Sequence, residues 1–299
     1  MAFNVSPHSN SPQPDLTYRV RRVPKGHGRF RRIYIAEGAL STYLARLLPT
    51  LKHIQDQIDV PGVSFAFTQN RNCAQMALRH VGRQYTLSLD LKDFFDSITK
   101  NHILEILESL DFPMDLVKYC FVEDRLPQGF RTSPLLSNIA FSTLDRAILS
   151  ALEEIAVDAT YTRYADDLVI SFDNWQDLNV IKRSVRGIVE SAGFQINDRK
   201  TRLQSQANGR IVICGIAVDS LGLHPTRKTM KRLRAALHQG KVDSVAGLHE
   251  WSKCKLPRLS AQRIAEKEGA IQKLRALPPR KRIEVLEALL LKKQIGPRT

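Results

Sequence analysis

Asp166 and Asp167 stand side by side between apolar runs, with Tyr161 before them and Val169, Ile170 and Phe172 after. Aspartates favour turns, so the pair could be turn chemistry alone. At the tip of so apolar a hairpin, however, two adjacent carboxylates are a costly like-charge pair unless a cation sits with them. A third carboxylate, Asp90, lies on the polar side of an alternation in which Leu87 and Leu89 interleave with Ser88 and Asp90. That is the pattern of a half-buried strand. Three carboxylates from neighbouring strands are the hard oxygen donors that Mg²⁺ prefers, and they leave coordination positions for substrate phosphates. Two ions about 3.5 to 4 Å apart would clamp the attacking and departing oxygens of an in-line phosphoryl displacement. The chemistry expected of this pattern is nucleotidyl transfer with two Mg²⁺ ions, Mn²⁺ being the alternative.

The elements that must position these groups follow from periodicity. Residues 18 to 35 read as a hairpin with Gly26-His27-Gly28 at its turn. Ala39, Tyr43, Leu44, Leu47, Leu48 and Leu51 recur at helical spacing. The stretch from Gln84 to Phe95 reads as the strand carrying Asp90, and a helix follows around Asn101 to Leu110. Pro127-Gln128-Gly129 makes a turn, and Ser133-Pro134 opens a helix that runs to Leu152, with Pro near its first position. Tyr161 to Phe172 folds as two strands about Ala165-Asp166-Asp167. A helix from about Asp177 to Ala192 and a short strand pair over Arg210 to Leu223 complete the order. Strands and helices mixed in this way indicate an α+β domain with helices on one face of an antiparallel sheet.

Charge supplies a second constraint. The 299 residues carry 45 Lys and Arg against 30 Asp and Glu, a net of +15 that favours a polyanionic partner. The surplus is +13 between Thr226 and Thr299 and only +2 before it. Seven basic and no acidic residues fall between Arg19 and Arg32, so the centre is slightly acidic, flanked by two basic flaps. No window approaches the ~20 uninterrupted apolar residues of a membrane span, so no membrane partner is expected. Cys73, Cys120, Cys214 and Cys254 lie too far apart for a metal-ligand spacing or a dense disulfide framework, which points to reduced thiols and a cytoplasmic protein. Three segments are expected: a flexible tail over residues 1–17, a catalytic body over 18–225 and a basic helical region over 226–299. In that last region Met230, Leu233 and Leu237 form an apolar stripe, while Arg227, Lys231, Arg234, His238 and Lys241 recur on another face that could track phosphates. A solvated surface helix is the plain alternative.

Taken in order, these motifs resemble a reverse transcriptase. Asp90 within LDLKDFF matches the family's first catalytic strand. Leu126-Pro127-Gln128-Gly129, followed by Thr132-Ser133-Pro134 and Asn138, matches its template-and-nucleotide loop and helix, and Tyr164-Ala165-Asp166-Asp167 matches the YxDD hairpin. Gly193-Phe194 through Asn197 to Lys200, and Arg31-Arg32-Ile33, match further family segments. The resemblance covers about Tyr18 to Leu237 and implies a right-hand polymerase fold with fingers, an antiparallel-sheet palm and a small helical thumb. It implies that Asp90 and Asp166 hold both metals, with Asp167 completing the triad and the Leu91 carbonyl an extra ligand. Phe95 falls where the family has a steric gate against the ribose 2′-hydroxyl. Gln128 and Gly129 would line the nucleotide pocket, Arg31 or Arg32 would bind the incoming triphosphate, and Lys200 would sit near the departing pyrophosphate. Tyr164 and Ala165, with Arg227, Lys231, Arg234 and Lys241 of the thumb, would touch nucleic acid.

Within the family, Thr162-Arg163 before YADD, Leu168 to Ser171 after it, and the PQGFRTSPLLSN stretch resemble bacterial retron enzymes. The retron element Asn-Ala-x-x-His appears here as Met76-Ala77-Leu78-Arg79-His80, and Val-Thr-Gly as Ile213-Cys214-Gly215. The resemblance implies deoxynucleoside triphosphates as substrates and a structured noncoding RNA as template, copied from a guanosine 2′-hydroxyl into RNA-linked DNA. It also implies an RNA:DNA duplex in the cleft and an antiphage role with a separately encoded effector protein. Other small bacterial defence or group II intron-like reverse transcriptases, and a catalytically silent RNA-binding scaffold, are the alternatives.

Overall fold

The computed structural model describes residues 17–256 apart from 27, 111 and 113. Residues 1–16 of the tail expected over 1–17, and the part of the basic region from residue 257 onward, lie outside the described residues. Tyr18–Gly26 (β1) and Arg29–Ala36 (β2) form the expected hairpin, in register from Tyr18↔Ala36 to Pro24↔Phe30. Every residue of β1 is exposed, so the hairpin projects as a two-stranded ribbon. Its base is tied down. The Tyr18 ring meets Tyr34 and Phe130 edge-on, Glu37 N donates to Thr17 O at 2.9 Å, and Tyr34 N donates to Gln128 O at 2.7 Å.

The central sheet has the strand order β4-β5-β3-β6, all antiparallel, built from Tyr85–Asp90 (β3), Ala159–Tyr164 (β4), Asp167–Phe172 (β5) and Arg202–Ser205 (β6). Period-two alternation divides its side chains between two cores. Leu87, Leu89, Leu168, Ile170 and Phe172 face one side. There they pack with helices Gly38–Ile58 (α1), Asn101–Glu108 (α4), Ser133–Glu154 (α5) and Leu178–Ser191 (α6). Each large aliphatic or aromatic side chain buried there contributes roughly 1.5 to 3 kcal/mol. The opposite face is not bare, as an arrangement of helices on one side only would leave it. Val169 joins Phe65, Met76, Ile211, Ile213 and Val218 in a second core, under Cys73–Leu78 (α2) and a small sheet of Ile211–Ile213 (β7), Ile216–Asp219 (β8) and Gly222–Pro225 (β9).

Several boundaries differ from the sequence reading. The strand expected to continue to Phe95 stops at Asp90, turns through Asp93 at φ +46°, and enters the single helical turn Phe94–Ser97 (α3). Leu91 and Phe94, three apart, both pack into the first core, a spacing that a helical turn puts on one face and a strand puts on opposite faces. The strand pair over Arg210 to Leu223 is three-stranded, because the chain pairs once more through β9. In helix Arg227–His238 (α7) the inward face is Thr229, Leu233 and Ala236, with Met230 half-buried and Leu237 58% exposed, so the stripe is rotated from the one expected. Val242–Ser252 (α8) packs beside α7. Among the described residues α5 alone is long and apolar enough to cross a membrane by length and composition, and its Leu136, Ile139, Phe141, Leu144 and Ile148 are buried in the first core.

Candidate active site

The site is assembled by strand register. Asp90, the last residue of β3, pairs with Asp167, the first of β5, and Asp167 pairs in turn with Tyr164 across a two-residue turn of Ala165 and Asp166. Directly paired residues on antiparallel strands hold their side chains about 5 Å apart. Leu91 N donates to Asp166 O at 2.9 Å, which fastens the turn to the exit of β3. The three expected carboxylates are therefore brought to one end of the sheet.

Their environment is that of an incompletely neutralised anion cluster. Burial, then the neighbouring Asp166 and Asp90 charges, push the Asp167 carboxyl up to about 6. Burial also raises Asp166, with Asp90 adding to the rise while Lys200 and Arg31 oppose it. Asp90 itself is 8% exposed and fully engaged: Lys200 Nζ donates to its Oδ2 at 2.8 Å, Asn197 Nδ2 donates to Oδ1 at 3.2 Å, and Asn197 N donates to its main-chain oxygen at 2.8 Å. Among the described residues no three acidic, His or Cys side chains are already drawn together as a closed metal cage. The donor set nonetheless fits divalent cations. It is all hard oxygen, it carries three like charges in close quarters, and one of them already binds a tethered ammonium.

The other expected residues are divided among distinct places. Asp90 and Asp167 line a cavity of about 170 Å³ with Ser88, Lys200, Arg202 and Cys214. Ser88 and Asp90, Asp167 and Val169, and Arg202 and Gln204 are alternate residues of β3, β5 and β6, so one face of the sheet is the wall of that cavity. Arg31, Arg32 and Gln128 line a larger one of about 420 Å³ under the β1–β2 hairpin, with Lys25, Asp93 and Arg125. Phe95 is half-buried on α3, its ring 6.3 Å from the Phe67 ring and 5.6 Å from Phe94. Gly129, at φ +112°, faces β2: a Cβ there would sit 2.5 Å from Tyr34 O and 2.9 Å from Ile33 Cγ2. Only glycine fits so close an approach at that φ.

Tyr164 is half-buried beside the free thiols of Cys73 and Cys214, and Cys214 Sγ lies 3.6 Å from Met76 Sδ. Interaction with Cys214 chiefly draws the Cys73 thiol down to about 6, while burial and then Cys73 hold Tyr164 above the ordinary phenol range. Ala165 is buried, with the left-handed φ of +54°. Arg227, Lys231, Arg234 and Lys241 are exposed on and just beyond α7, outside the residues that line the two cavities. Residue chemistry alone did not single out Asn197 or Phe67. Asn197 had a signal in its place three residues before Lys200; Phe67, exposed at φ +57°, had none.

Comparison with known proteins agrees with this geometry. Residues 23–237 match the family model described as reverse transcriptase (RNA-dependent DNA polymerase). The chain is 29% identical to the retron Ec86 reverse transcriptase of Escherichia coli over 79% of its own length and 75% of the relative's. It is 30% identical to the retron Ec73 enzyme of the same organism, over 76% and 77%. To the retron Mx65 enzyme of Myxococcus xanthus it is 32% identical, over 73% of this chain and 54% of that one. Among solved structures, apo telomerase from Candida tropicalis superposes with a TM-score of 0.55 at 16% identity, covering 72% of this chain and 56% of the other, and so shares the fold. The ordered motifs, the α+β palm and these relatives together place the chain in the reverse transcriptase family, as an RNA-directed DNA polymerase of the bacterial retron type.

Proposed function

We propose that this polymerase copies part of a cognate structured noncoding RNA into single-stranded DNA that stays joined to that RNA, at a site where Asp90, Asp166, Asp167 and the Leu91 carbonyl hold two Mg²⁺ ions. The observation that carries the reading is the register that sets Asp90 opposite Asp167 while the adjoining turn adds Asp166. When bound, such ions neutralise charge on the attacking and departing oxygens.

The chain's own residues supply position and selection. Arg31 and Arg32, on the hairpin over the larger cavity, bind the triphosphate of a deoxynucleotide, Arg being suited to two-point phosphate contacts. Gln128 lines the same space, and Gly129 fixes its loop against β2. Phe95 excludes a 2′-hydroxyl. Lys200, already bound to an acidic ligand, can follow negative charge to the departing pyrophosphate. Tyr164 and Ala165 support the end of the growing strand, and the exposed cations of α7 track the phosphates of the RNA:DNA duplex.

Primer extension on an RNA template with Mg²⁺ and deoxynucleotides, comparing wild type with Asp166→Ala plus Asp167→Ala, tests the site. DNA should be made only by the wild type; equal output from both would overturn the assignment. Linkage is tested on nucleic acid recovered with the protein. After protease digestion the DNA should remain attached to RNA in denaturing gels, and free DNA would refute a joined product. An antiphage role, acting with a separately encoded effector protein, belongs to the same reading. Plating of phage on cells carrying the native locus should rise when the two aspartates are replaced, and an unchanged plating efficiency would remove that role.

A further inference from the structure

Arg163, two residues before Ala165, is a large side chain that is 0% exposed. Its guanidinium is spent entirely inside the protein. Nη2 donates to Asp145 Oδ2 at 2.7 Å and Nε to both Asp145 oxygens at 3.0 and 3.1 Å. Nη1 donates to Asn138 Oδ1 at 3.1 Å and to the Ala165 carbonyl at 3.3 Å. The Phe141 ring lies 4.7 Å below the guanidinium carbon. Asn138, Phe141 and Asp145 are spaced three and four apart on α5, so one face of that helix grips the arginine. Tyr161, on the same strand as Arg163, donates to Asp145 Oδ1 at 2.7 Å and completes its shell.

A buried ion pair is a weak source of stability, since apolar residues of similar volume often serve as well or better. What this pair does that an apolar pair cannot is hold a main-chain oxygen at a defined place. Ala165 takes a left-handed φ that a non-glycine residue adopts at a cost of about 1 kcal/mol. Its carbonyl begins the peptide that carries Asp166. Asn138 extends the brace: its Nδ2 donates to Ala66 O at 2.8 Å, Ser64 Oγ donates to its Oδ1 at 3.1 Å, and segment 63–65 is hydrogen-bonded to the main chain of Arg163. Phe67, the next residue after Ala66, stands at φ +57° with its ring beside Phe95. Two strained main-chain positions, one at the carboxylate turn and one beside the steric gate, thus hang from one buried junction on α5.

We propose that Arg163, clamped by Asp145 and Asn138, is a positioning residue for polymerisation, which fixes the Ala165–Asp166 turn and through it the carboxylate of Asp166. The proposal rests on the assignment of Asp166 to the catalytic centre. It is separated from mere support of the fold by asking what happens when the pair is replaced by apolar groups of similar size.

Single-nucleotide incorporation, thermal unfolding and RNA binding should be measured for wild type, Arg163→Lys, and the double replacement Arg163→Met with Asp145→Leu. The double variant should unfold cooperatively, its midpoint lowered only by the acceptor that the buried Tyr161 hydroxyl loses with Asp145, bind RNA equally and keep KM for the deoxynucleotide within about threefold. Its kcat should fall roughly 10- to 100-fold, as a displacement of order 1 Å at a reacting group produces. Arg163→Lys keeps the charge opposite Asp145 but lacks the fork that reaches Ala165 O, so its kcat should fall as well while its midpoint holds. Should the double variant fail to fold, Arg163→Lys decides alone. A kcat within twofold of wild type in any folded variant, or a loss matched by the unfolded fraction, overturns the proposal. The assignment of Asp166 fails separately, if Asp166→Ala polymerises normally.

Discussion

In the proposed function, discrimination between sugars is assigned to a single ring. Phe95 is half-buried between Phe94 and Phe67, so its position is fixed by packing and not by a hydrogen bond. Replacing it with Val should open room for a ribose 2′-hydroxyl. The ratio of kcat/KM for deoxy- over ribonucleotides should fall by roughly 10- to 100-fold, the scale on which apolar pockets discriminate small groups. An unchanged ratio would mean that the gate lies elsewhere. The same scale shows what a sequence does and does not disclose. Asp90 and Asp167 were legible because alternation fixes which side of a strand a residue faces. The engagement of Asp90 by Asn197 was not legible from periodicity, because a contact 107 positions apart depends on how the chain returns after α6.

Two elements are held in place by groups that do no chemistry. His80 follows α2 and is completely buried, its Nδ1 2.7 Å from Ser171 Oγ on β5 and its Nε2 2.7 Å from Thr162 Oγ1 on β4. Thr86 Oγ1 of β3 is 2.7 Å from the same Ser171 hydroxyl, so one imidazole joins the helix to three strands. Burial above all, with Arg79 and Arg83 nearby, pushes its pKa down to about 3 from an ordinary 6.5. The folded chain therefore keeps His80 neutral where the unfolded chain protonates it. The stability it gives is whole above pH 6.5 and is lost as pH falls from 6.5 towards 3, at about 1.4 kcal/mol per pH unit. Asp167, raised to about 6, titrates in the opposite sense over part of the same range, so the His80 contribution is read as a difference: in urea unfolding between pH 6.5 and 4.5, the rise of stability with pH should be steeper in the wild type than in His80→Gln by up to that amount, and equal slopes would refute it.

Gly129 plays the corresponding part between the PQG loop and β2. With Tyr34 O 2.5 Å from where a Cβ would stand, Gly129→Ala should cost roughly 1 to 3 kcal/mol in unfolding free energy, measured by denaturant titration. A neutral result would show that the two segments part easily. At this scale α1, α5, α6 and the catalytic hairpin were readable, being long and strongly periodic. The six-residue α2 and the four-residue edge strand β6 were not, since neither spans enough residues to show a period, and both are held by tertiary pairing.

Along the chain, basic segments stand before and after the segment that carries the carboxylates. Most of the +15 surplus lies after Pro225 and the remainder of its concentration in the hairpin, while the palm between them carries the acids. Arg227, Lys231 and Arg234 share one exposed face of α7 and Lys241 lies just beyond the helix, so replacing the four together by Gln should weaken RNA binding and flatten its salt dependence. The slope of log K against log salt should drop by roughly three to four, about one for each lost phosphate contact. A slope that does not move would put the phosphate path on another surface.

The ribbon that carries Arg31 is secured very differently at its two ends. At the base it has aromatic edges and a main-chain hydrogen bond to the PQG loop; near the tip, Lys25 meets Asp93 at 3.2 Å in an exposed pair. Such a pair is worth about 0 to 1 kcal/mol. A lever of this kind, hinged firmly at one end and latched loosely some 25 Å away at about 3.3 Å per residue, opens at little cost. The latch is also selective. An anion entering the space beneath, as the triphosphate of the proposed function would, competes with Asp93 for the same ammonium, so the group proposed to fill the enclosure would also unfasten it.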